Sequence, residues 1–243
     1  MTTDSADTLP TPARDVSVIL TAYNEAPRIE ATLAALALAF PGAPLWVADD
    51  GSTDATADRA RAAGARVVRS ERVIGKGGAA TPAAWDALHD ARATDRGRNQ
   101  KLIFVLCDAD LGASALELGA LADAVRRGET DVAVAAFATR VGGGVGLAVA
   151  FARWAIHRRS GLSLRAPISG QRALHAGALE DVLPFAAGFG MEIGITIDAA
   201  RAGHRVSEIE LELSHRATGR TLSGFLHRAR QLLDFLRVYL ARR

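Results

Sequence analysis

The first half of the chain alternates short apolar, β-branched runs with stretches of helical periodicity, and this alternation limits the possible folds more than any other feature. Such runs are typical of strands that are buried on both faces of a parallel sheet. The pattern therefore predicts an α/β domain with a mostly parallel sheet flanked by helices. The predicted strands are Val16–Leu20, Leu45–Ala48, Arg66–Arg69, Lys101–Cys107 and Asp131–Ala136, and the predicted helices are Ala26–Ala39, Asp54–Ala63, Ala79–Ala93 and Ser114–Arg127.

The second half of the chain is less regular. A glycine-rich loop and a helix are predicted within Val141–Arg165, followed by a short segment at Ser169–Leu174. A helix over Met191–Ala202 and a strand over Val206–Leu213 come next. The last predicted element is an amphipathic helix, from about Leu222 to Leu240, which packs on the domain or a second subunit, or lies on an anionic bilayer. Its predicted apolar face consists of Leu222, Phe225, Leu226, Ala229, Leu232, Leu233, Leu236 and Leu240.

Composition excludes several classes of protein. The formal net charge of +2 argues against a dedicated nucleic-acid binder. A single cysteine, Cys107, allows neither an intrachain disulfide nor a cysteine-based zinc site. The chain has neither a signal-peptide pattern at its start nor an apolar run long enough to cross a bilayer, so a cytoplasmic location is expected, with peripheral contact at the inner membrane face left open.

Asp108 and Asp110 directly follow the most apolar predicted strand. In open parallel sheets, ligands bind at the carboxyl ends of the strands. Two carboxylates one residue apart at such an end can hold a hard divalent cation, Mg²⁺ or Mn²⁺, that neutralises a diphosphate. The alternative is a solvated turn after a strand.

Asp49 and Asp50 follow the second strand and precede Gly51 and Ser52. Asp-Gly favours a turn, and a residue here can cap the next helix. Capping requires only one such residue, so the other carboxylate is available to accept a base N–H of a nucleotide.

Lys76 lies among Gly75, Gly77 and Gly78 at the start of a predicted helix. Backbone N–H groups and the helix dipole favour phosphate there, although the spacing is not that of a P-loop. The chain holds only two lysines, Lys76 and Lys101. This scarcity favours phosphate contact over a merely solvated side chain.

Four segments, VSVILTAYNEAPRIEATLAAL, VADDGSTDAT, IGKGGA and LCDADL, together resemble the nucleotide-sugar glycosyltransferases of the GT-A fold, family 2. The resemblance implies a UDP- or GDP-sugar donor and a bound Mg²⁺ or Mn²⁺. It places Asp110 on the metal, Asp108 near the ribose and metal, and Lys76 beside the nucleotide. The nucleotide-sugar site that it implies consists of Thr21, Ala22, Tyr23, Glu25, Asp50, Lys76, Asp108 and Ala109.

Two segments of the second half are similar to branches of that family. The segment with Gly170 and Arg172 resembles an acceptor-side element of polyprenyl-phosphate sugar transferases. The segments around Glu192, and around His215 and Arg216, resemble the glucosyl-3-phosphoglycerate and mannosylglycerate synthase branch. This resemblance implies that His215 completes the metal site and that Gly170, Arg172 and Arg216 contact the acceptor.

The chain departs from both branches. Gly112 replaces a glutamine that helps to hold the metal in the polyprenyl-phosphate branch, which makes His215 more necessary as a ligand. Leu174 and Ala217 replace polar residues of the phosphoglycerate branch. An arginine fork at Arg172 still matches an anionic acceptor group.

Glu192 lies at a glycine-flanked helix start between Met191 and Ile193. A partly apolar environment can raise the pKa of a carboxylic acid, which suits a general base or a group that orients an acceptor hydroxyl. The alternative is a glutamate that only stabilises the helix dipole.

These observations predict a metal-dependent glycosyltransferase that uses a nucleoside-diphosphate sugar and a small anionic or phosphorylated acceptor. The alternatives are a polyprenyl-phosphate glycosyltransferase at the membrane surface, a sugar-phosphate nucleotidyltransferase and a non-catalytic binding protein. A homodimer is possible. The predicted organisation is a flexible segment (1–14), a nucleotide-sugar half (15–112), an acceptor half (113–220) and the C-terminal amphipathic helix (221–243), with 15–243 forming a single domain.

Overall fold

A computed structural model describes residues 13–94, 102–137, 147–211 and 233–242. Within these residues, seven strands form one sheet in the order β3-β2-β1-β4-β6-β5-β7. All neighbouring strands are parallel except those that pair with β6, which runs antiparallel to both β4 and β5. The strands are β1 (Val16–Ala22), β2 (Leu45–Asp49), β3 (Arg66–Arg69), β4 (Ile103–Asp108), β5 (Val132–Phe137), β6 (Arg172–His175) and β7 (Val206–Leu211).

Helices cover both faces of the sheet. Two short 3₁₀ helices (Gly112–Leu118 and Gly188–Gly190) precede α4 and α7. The chain is helical again at residues 233–241, called here the C-terminal helical segment. The α-helices are α1 (Ile29–Ala39), α2 (Thr56–Ala62), α3 (Lys76–Ala93), α4 (Gly119–Arg126), α5 (Leu147–Ser160), α6 (Ala176–Val182) and α7 (Met191–Arg201).

The predicted α/β sheet is confirmed. Strand β4 shows why a continuous apolar run predicts a strand that is buried on both faces. Ile103, Val105 and Cys107 pack on the face covered by α1, α2 and α4. Phe104 and Leu106 pack on the face covered by α3, α6 and α7. Because both sets are buried, the strand is a continuous apolar run instead of an alternating one.

Several predicted boundaries differ from the structure. Helix α3 begins at Lys76, three residues before the predicted start, because the glycines at 77 and 78 continue the helix despite their low propensity. The helix predicted over Ser114–Arg127 is a 3₁₀ helix followed by α4. Helix α6 has no counterpart among the elements predicted from the sequence.

The C-terminal helical segment buries a different face from the predicted one. Leu233, Leu236 and Leu240 are 55%, 41% and 44% exposed, whereas Phe235 and Val238 are buried against α5 and α7. The remainder of the predicted helix lies outside the described residues. In the described part of this helix, Phe235 and Val238, and not the predicted leucines, therefore pack on the domain.

Polar contacts also fix the C-terminal helical segment. The Phe189 N–H donates to Oδ2 of Asp234 at 3.2 Å, and Nε of Arg242 donates to Oδ1 of Asp198 at 2.7 Å. Gly188 has φ of +60°, and a Cβ there would lie 2.2 Å from Oδ2 of Asp234. The segment is therefore closely fitted to the start of α7.

Candidate active site

The polar strand ends predicted from the sequence meet at one edge of the sheet. Strands β1, β2 and β4 are parallel, so Thr21, Asp50 and Asp108 reach the same edge. Strand β6 runs in the opposite direction, so the residues that precede it, Gly170 and Gln171, arrive at this edge too. The antiparallel strand thus joins the second half of the chain to the site.

Lys76 lies between two carboxylates at the centre of this edge. Its Nζ lies 2.6 Å from Oδ1 of Asp108 and 2.7 Å from Oε1 of Glu192. Lys76 comes from the first turn of α3, Asp108 ends β4, and Glu192 is in the first turn of α7. Burial opposes the charge on Lys76, but attraction to Asp108 and Glu192 outweighs it and raises the pKa of the ammonium.

Asp108 is held by two further hydrogen bonds and lies close to Gly170. Oγ1 of Thr21 donates to its Oδ1 at 3.1 Å, and Nε2 of Gln171 donates to its Oδ2 at 2.9 Å. A Cβ at Gly170 would lie 2.6 Å from Oδ2 of Asp108 and 2.6 Å from Nζ of Lys76. Burial alone would raise the pKa of Asp108, but the charge of Lys76 and these hydrogen bonds lower it, so the carboxylate is ionised.

Gln171 is a site residue that sequence reasoning missed. It is 2% exposed and comes 63 positions after Asp108. The available signal was its place between the predicted site residues Gly170 and Arg172. Its burial, which only the structure shows, explains the contact, because a buried amide requires a polar partner. A glutamine therefore does reach Asp108, although position 112 is glycine.

Asp110 lies near Glu25 at the same edge. Burial raises the pKa of Glu25, the 2.5 Å ion pair with Arg28 opposes that shift, and the charges of Asp110 and Asp54 add to it. Carboxylate oxygens at this edge form a donor set that suits Mg²⁺ or Mn²⁺. The third predicted ligand, His215, and the predicted acceptor residue Arg216 lie outside the described residues.

Asp50 holds the glycine-rich loop before Lys76. Its Oδ1 accepts from the N–H of Ile74 at 2.7 Å, and its Oδ2 accepts from the N–H of Gly75 at 2.9 Å. The side chain is almost fully buried. In the structure the carboxylate therefore fixes the loop, and its contact with a nucleotide base stays a prediction.

The loop between β1 and α1 is bonded to the loop after β2. The N–H of Asn24 donates to Oγ of Ser52 at 2.9 Å, and Oδ1 of Asn24 accepts from the N–H of Thr53 at 2.8 Å. Asn24 adopts φ of +54°, a left-handed conformation that asparagine tolerates. The adjacent Tyr23 is 48% exposed, so its ring is available for contact with a base.

Ala22 and Ala109 contribute main-chain atoms only. Both side chains are buried, at 4% and 1% exposure. The carbonyl of Ala22 accepts from the N–H of Asp50 at 2.9 Å, and the N–H of Ala109 donates to the carbonyl of Thr21 at 3.1 Å. These bonds tie the ends of β1, β2 and β4 together.

The structure contradicts the predicted acceptor role of Arg172. Its side chain is fully buried, and burial lowers the pKa of the guanidinium to about 10 despite the attraction of Glu192 and Glu208. The guanidinium donates to the carbonyls of Ser169 and Pro167 and to Oγ1 of Thr196. It therefore positions α7 and the segment before β6, and is not accessible to an acceptor.

The sequence profile described as Glycosyl transferase family 2 matches residues 17–168. The chain belongs to this family. Glucosyl-3-phosphoglycerate synthases of Mycobacterium tuberculosis (strain ATCC 25618 / H37Rv) and Mycobacterium bovis (strain ATCC BAA-935 / AF2122/97) are each 33% identical to it over 202 residues. That alignment covers 76% of this chain but only 60% of either relative. The present chain therefore spans about three fifths of the length of these synthases.

Solved structures of the Mycobacterium tuberculosis synthase share the fold. The complex with Mn²⁺, UDP-glucose and glycerol 3-phosphate has a TM-score of 0.69 at 30% identity and covers 93% of this chain and 79% of that one. The complex with Mg²⁺ and UDP has a TM-score of 0.70 at 30% identity, covering 93% and 78%. The predicted family and the GT-A fold are thereby confirmed.

Proposed function

We propose that the protein transfers a hexose from a UDP-sugar to a small phosphorylated acceptor in a reaction that requires Mg²⁺ or Mn²⁺. The observation that supports this best is the position of Lys76 between Asp108 and Glu192. It brings together in one cluster Asp108, from the predicted nucleotide-sugar site, and Glu192, which is predicted to act on the acceptor. UDP-glucose and phosphoglycerate occur with Mn²⁺ in a structure of the related mycobacterial synthase.

The residues of this cluster, and the predicted metal ligands Asp110 and His215, have proposed roles. Asp110, with Asp108 and His215, would hold the metal ion, which supplies positive charge to the diphosphate leaving group. Lys76 adds a second positive charge on the diphosphate side. The acceptor oxygen bonds to the anomeric carbon of the sugar as the bond between that carbon and the diphosphate of UDP breaks. Glu192 either accepts the proton of the acceptor hydroxyl or orients this hydroxyl while the departing diphosphate takes the proton.

The acceptor is proposed to be a small phosphorylated compound. The sequence departure at Leu174 does not argue against such an acceptor, because this side chain is fully buried in the hydrophobic core under α3 and α6. Arg172 is equally inaccessible. The acceptor phosphate must therefore be bound by other residues, among which Arg216 stays a prediction.

A polyprenyl-phosphate acceptor is the second candidate. The exposed Leu233, Leu236 and Leu240 on the C-terminal helical segment favour it, since an apolar helix face can rest on a bilayer. In the described part of the chain, no helix has the length and apolar character needed to span a membrane. The same leucines suit a homodimer contact equally well.

The deciding experiment measures UDP release from UDP-glucose with each acceptor in turn. Turnover with 3-phosphoglycerate or glycerol 3-phosphate supports the proposal. Turnover only with a polyprenyl phosphate, together with binding to anionic liposomes, favours the second candidate. Release of pyrophosphate from a sugar phosphate and a nucleoside triphosphate would identify a nucleotidyltransferase, and no turnover of any donor would support a non-catalytic protein.

Two variants test the assigned roles. We expect Asp110→Asn to abolish the metal dependence of UDP binding in calorimetry, with Asp58→Asn at an exposed position as the control. We expect Glu192→Gln to lower turnover far more than donor affinity, with the exposed Glu117→Gln as its control. An equal loss of turnover and affinity in Glu192→Gln would indicate a structural role for this glutamate.

A further inference from the structure

A second cluster of potential metal ligands lies at the opposite edge of the sheet. Asp131 immediately precedes β5, His175 ends the antiparallel β6, and His204 comes shortly before β7. The starts of β5 and β7 and the end of β6 share one edge, which is the edge remote from Asp108. The reaction proposed above does not use this cluster.

The three side chains converge closely enough to share one ion. One potential ligand atom from each lies within 4.8 Å of the others. Nε2 of His175 is 3.9 Å from Oδ1 of Asp131, and the two imidazole rings have centroids 5.1 Å apart. Two imidazole nitrogens and one carboxylate oxygen form a donor set typical of zinc and similar ions, with a fourth position left for water.

Neighbouring groups already hold two of these side chains in place. The backbone N–H and Nε of Arg205 donate to Oδ2 of Asp131 at 2.9 and 3.1 Å, and its Nη2 donates to Oδ1 at 2.9 Å. Oδ2 of Asp181 lies 2.7 Å from Nε2 of His204. A carboxylate that accepts the proton of one imidazole nitrogen orients the ring and leaves the other nitrogen with its lone pair, as is common around metal sites.

Charge and burial suit a cation at this place. Among the described residues, Asp131 pairs with the guanidinium of Arg205 and Asp181 pairs with His204, so these four side chains carry one negative charge in excess while the histidines are neutral. The side chains of Asp131, His175 and His204 are 23%, 26% and 16% exposed. The cluster is therefore partly shielded from water yet open to an ion from solution.

We propose that Asp131, His175 and His204 form a binding site for a zinc-class divalent ion, separate from the site at Asp108 and Asp110. Nδ1 of His175 accepts a 3.3 Å hydrogen bond from the N–H of Ala178. Coordination through Nε2 moves the ring proton to Nδ1 and releases this long bond. The bound ion thus replaces the 3.3 Å hydrogen bond at the start of α6 with coordination bonds that connect β5, β6 and the loop before β7.

Cobalt binding to the whole, tag-free chain tests the proposal. The protein is stripped with chelator and saturated with Mg²⁺, which occupies oxygen-rich sites, and is then titrated with Co²⁺ while visible absorption is recorded. We expect a single equivalent of Co²⁺ to bind with the visible absorption of nitrogen coordination, and Zn²⁺ to displace it. The same titration of Asp110→Asn should be unchanged, which separates this test from that of the proposed function.

Variants locate the bound ion. We expect His204→Gln to weaken Co²⁺ binding at least tenfold, and Asp181→Asn, which retains all three ligands, to weaken it about tenfold. His157→Gln, at an exposed position on α5, is the control and should bind normally. Absence of Co²⁺ absorption in the wild type, or wild-type Co²⁺ affinity in both His204→Gln and Asp181→Asn, would overturn the proposal and leave a histidine–aspartate contact without metal.

Discussion

Replacing Gly170 by alanine should separate Lys76 from Asp108 with little effect on the fold. The new Cβ would lie 2.6 Å from Nζ of Lys76 and from Oδ2 of Asp108, whereas ordinary contacts begin at 3.4 Å. Both groups must therefore move away from it by about 0.8 Å, the difference between those distances. Gly170 does not have a left-handed φ, so alanine adds no backbone strain there.

The size of the effect follows from that displacement. Misplacement of a catalytic group by about 1 Å can cost on the order of 100-fold in rate. We therefore expect turnover to fall about 10- to 100-fold, which corresponds to roughly 1.4–2.7 kcal/mol of transition-state stabilisation. Because both displaced atoms end side chains, the free energy of unfolding should change by less than about 1 kcal/mol.

Steady-state UDP release and urea unfolding measure the two quantities separately. Gly119→Ala is the matched control, since a Cβ at that position meets no atom within 4 Å. Wild-type turnover in a folded Gly170→Ala protein would refute the assignment of the Lys76 and Asp108 pair to the active site. A large loss of stability would instead show that the ion pair is needed for folding.

Three further predictions concern stability and reactivity. Lys76→Met should lower the free energy of unfolding by about 3 kcal/mol in urea titrations, because it leaves the buried Glu192 and the partly exposed Asp108 without their cation. An unchanged urea midpoint would contradict the pairing. Burial and nearby negative charge raise the pKa of Cys107, so iodoacetamide should label this thiol only after unfolding, as read by intact mass. Gly188→Ala should destabilise the protein by about 2 kcal/mol, because position 188 has a left-handed φ and the new Cβ would clash with Asp234. The control is Gly64→Ala, where φ is +85° but no atom lies within 4 Å of the new Cβ, so only the backbone strain should lower its stability.

The strands and the carboxylates at their ends could be predicted from the sequence, because both are encoded in the order of apolar and polar residues over a few positions. The apolar run at Ile103–Asp108 indicates burial on both faces, and the aspartates follow directly from where that run ends. Parallel pairing then requires Asp50 and Asp108 to share an edge. The family resemblance added roles for these residues, and the fold agrees with it.

Tertiary pairings could not be predicted in the same way. Lys76 and Glu192 are 116 positions apart, and no periodicity relates a helix start in one half to a helix start in the other. Arg172 misled the sequence analysis, since an arginine in a polar motif resembles an anion ligand until β6 buries it. In the C-terminal helical segment, leucine spacing indicated one face, but Phe235 and Val238 fit the groove between α5 and α7.

The position of β6 has a consequence for how the chain must fold. Strand β5 lies within the family-matched region of residues 17–168, yet among the described strands it pairs only with β6 and β7, which both lie beyond that region. A fragment that ends at residue 168 would therefore leave β5 without a partner and β4 with an open edge. Pairing of β4 with β6 closes a loop of more than sixty residues, a non-local contact that slows folding. The matched region is thus a unit of sequence similarity, whereas the cooperative folding unit must extend at least through β7.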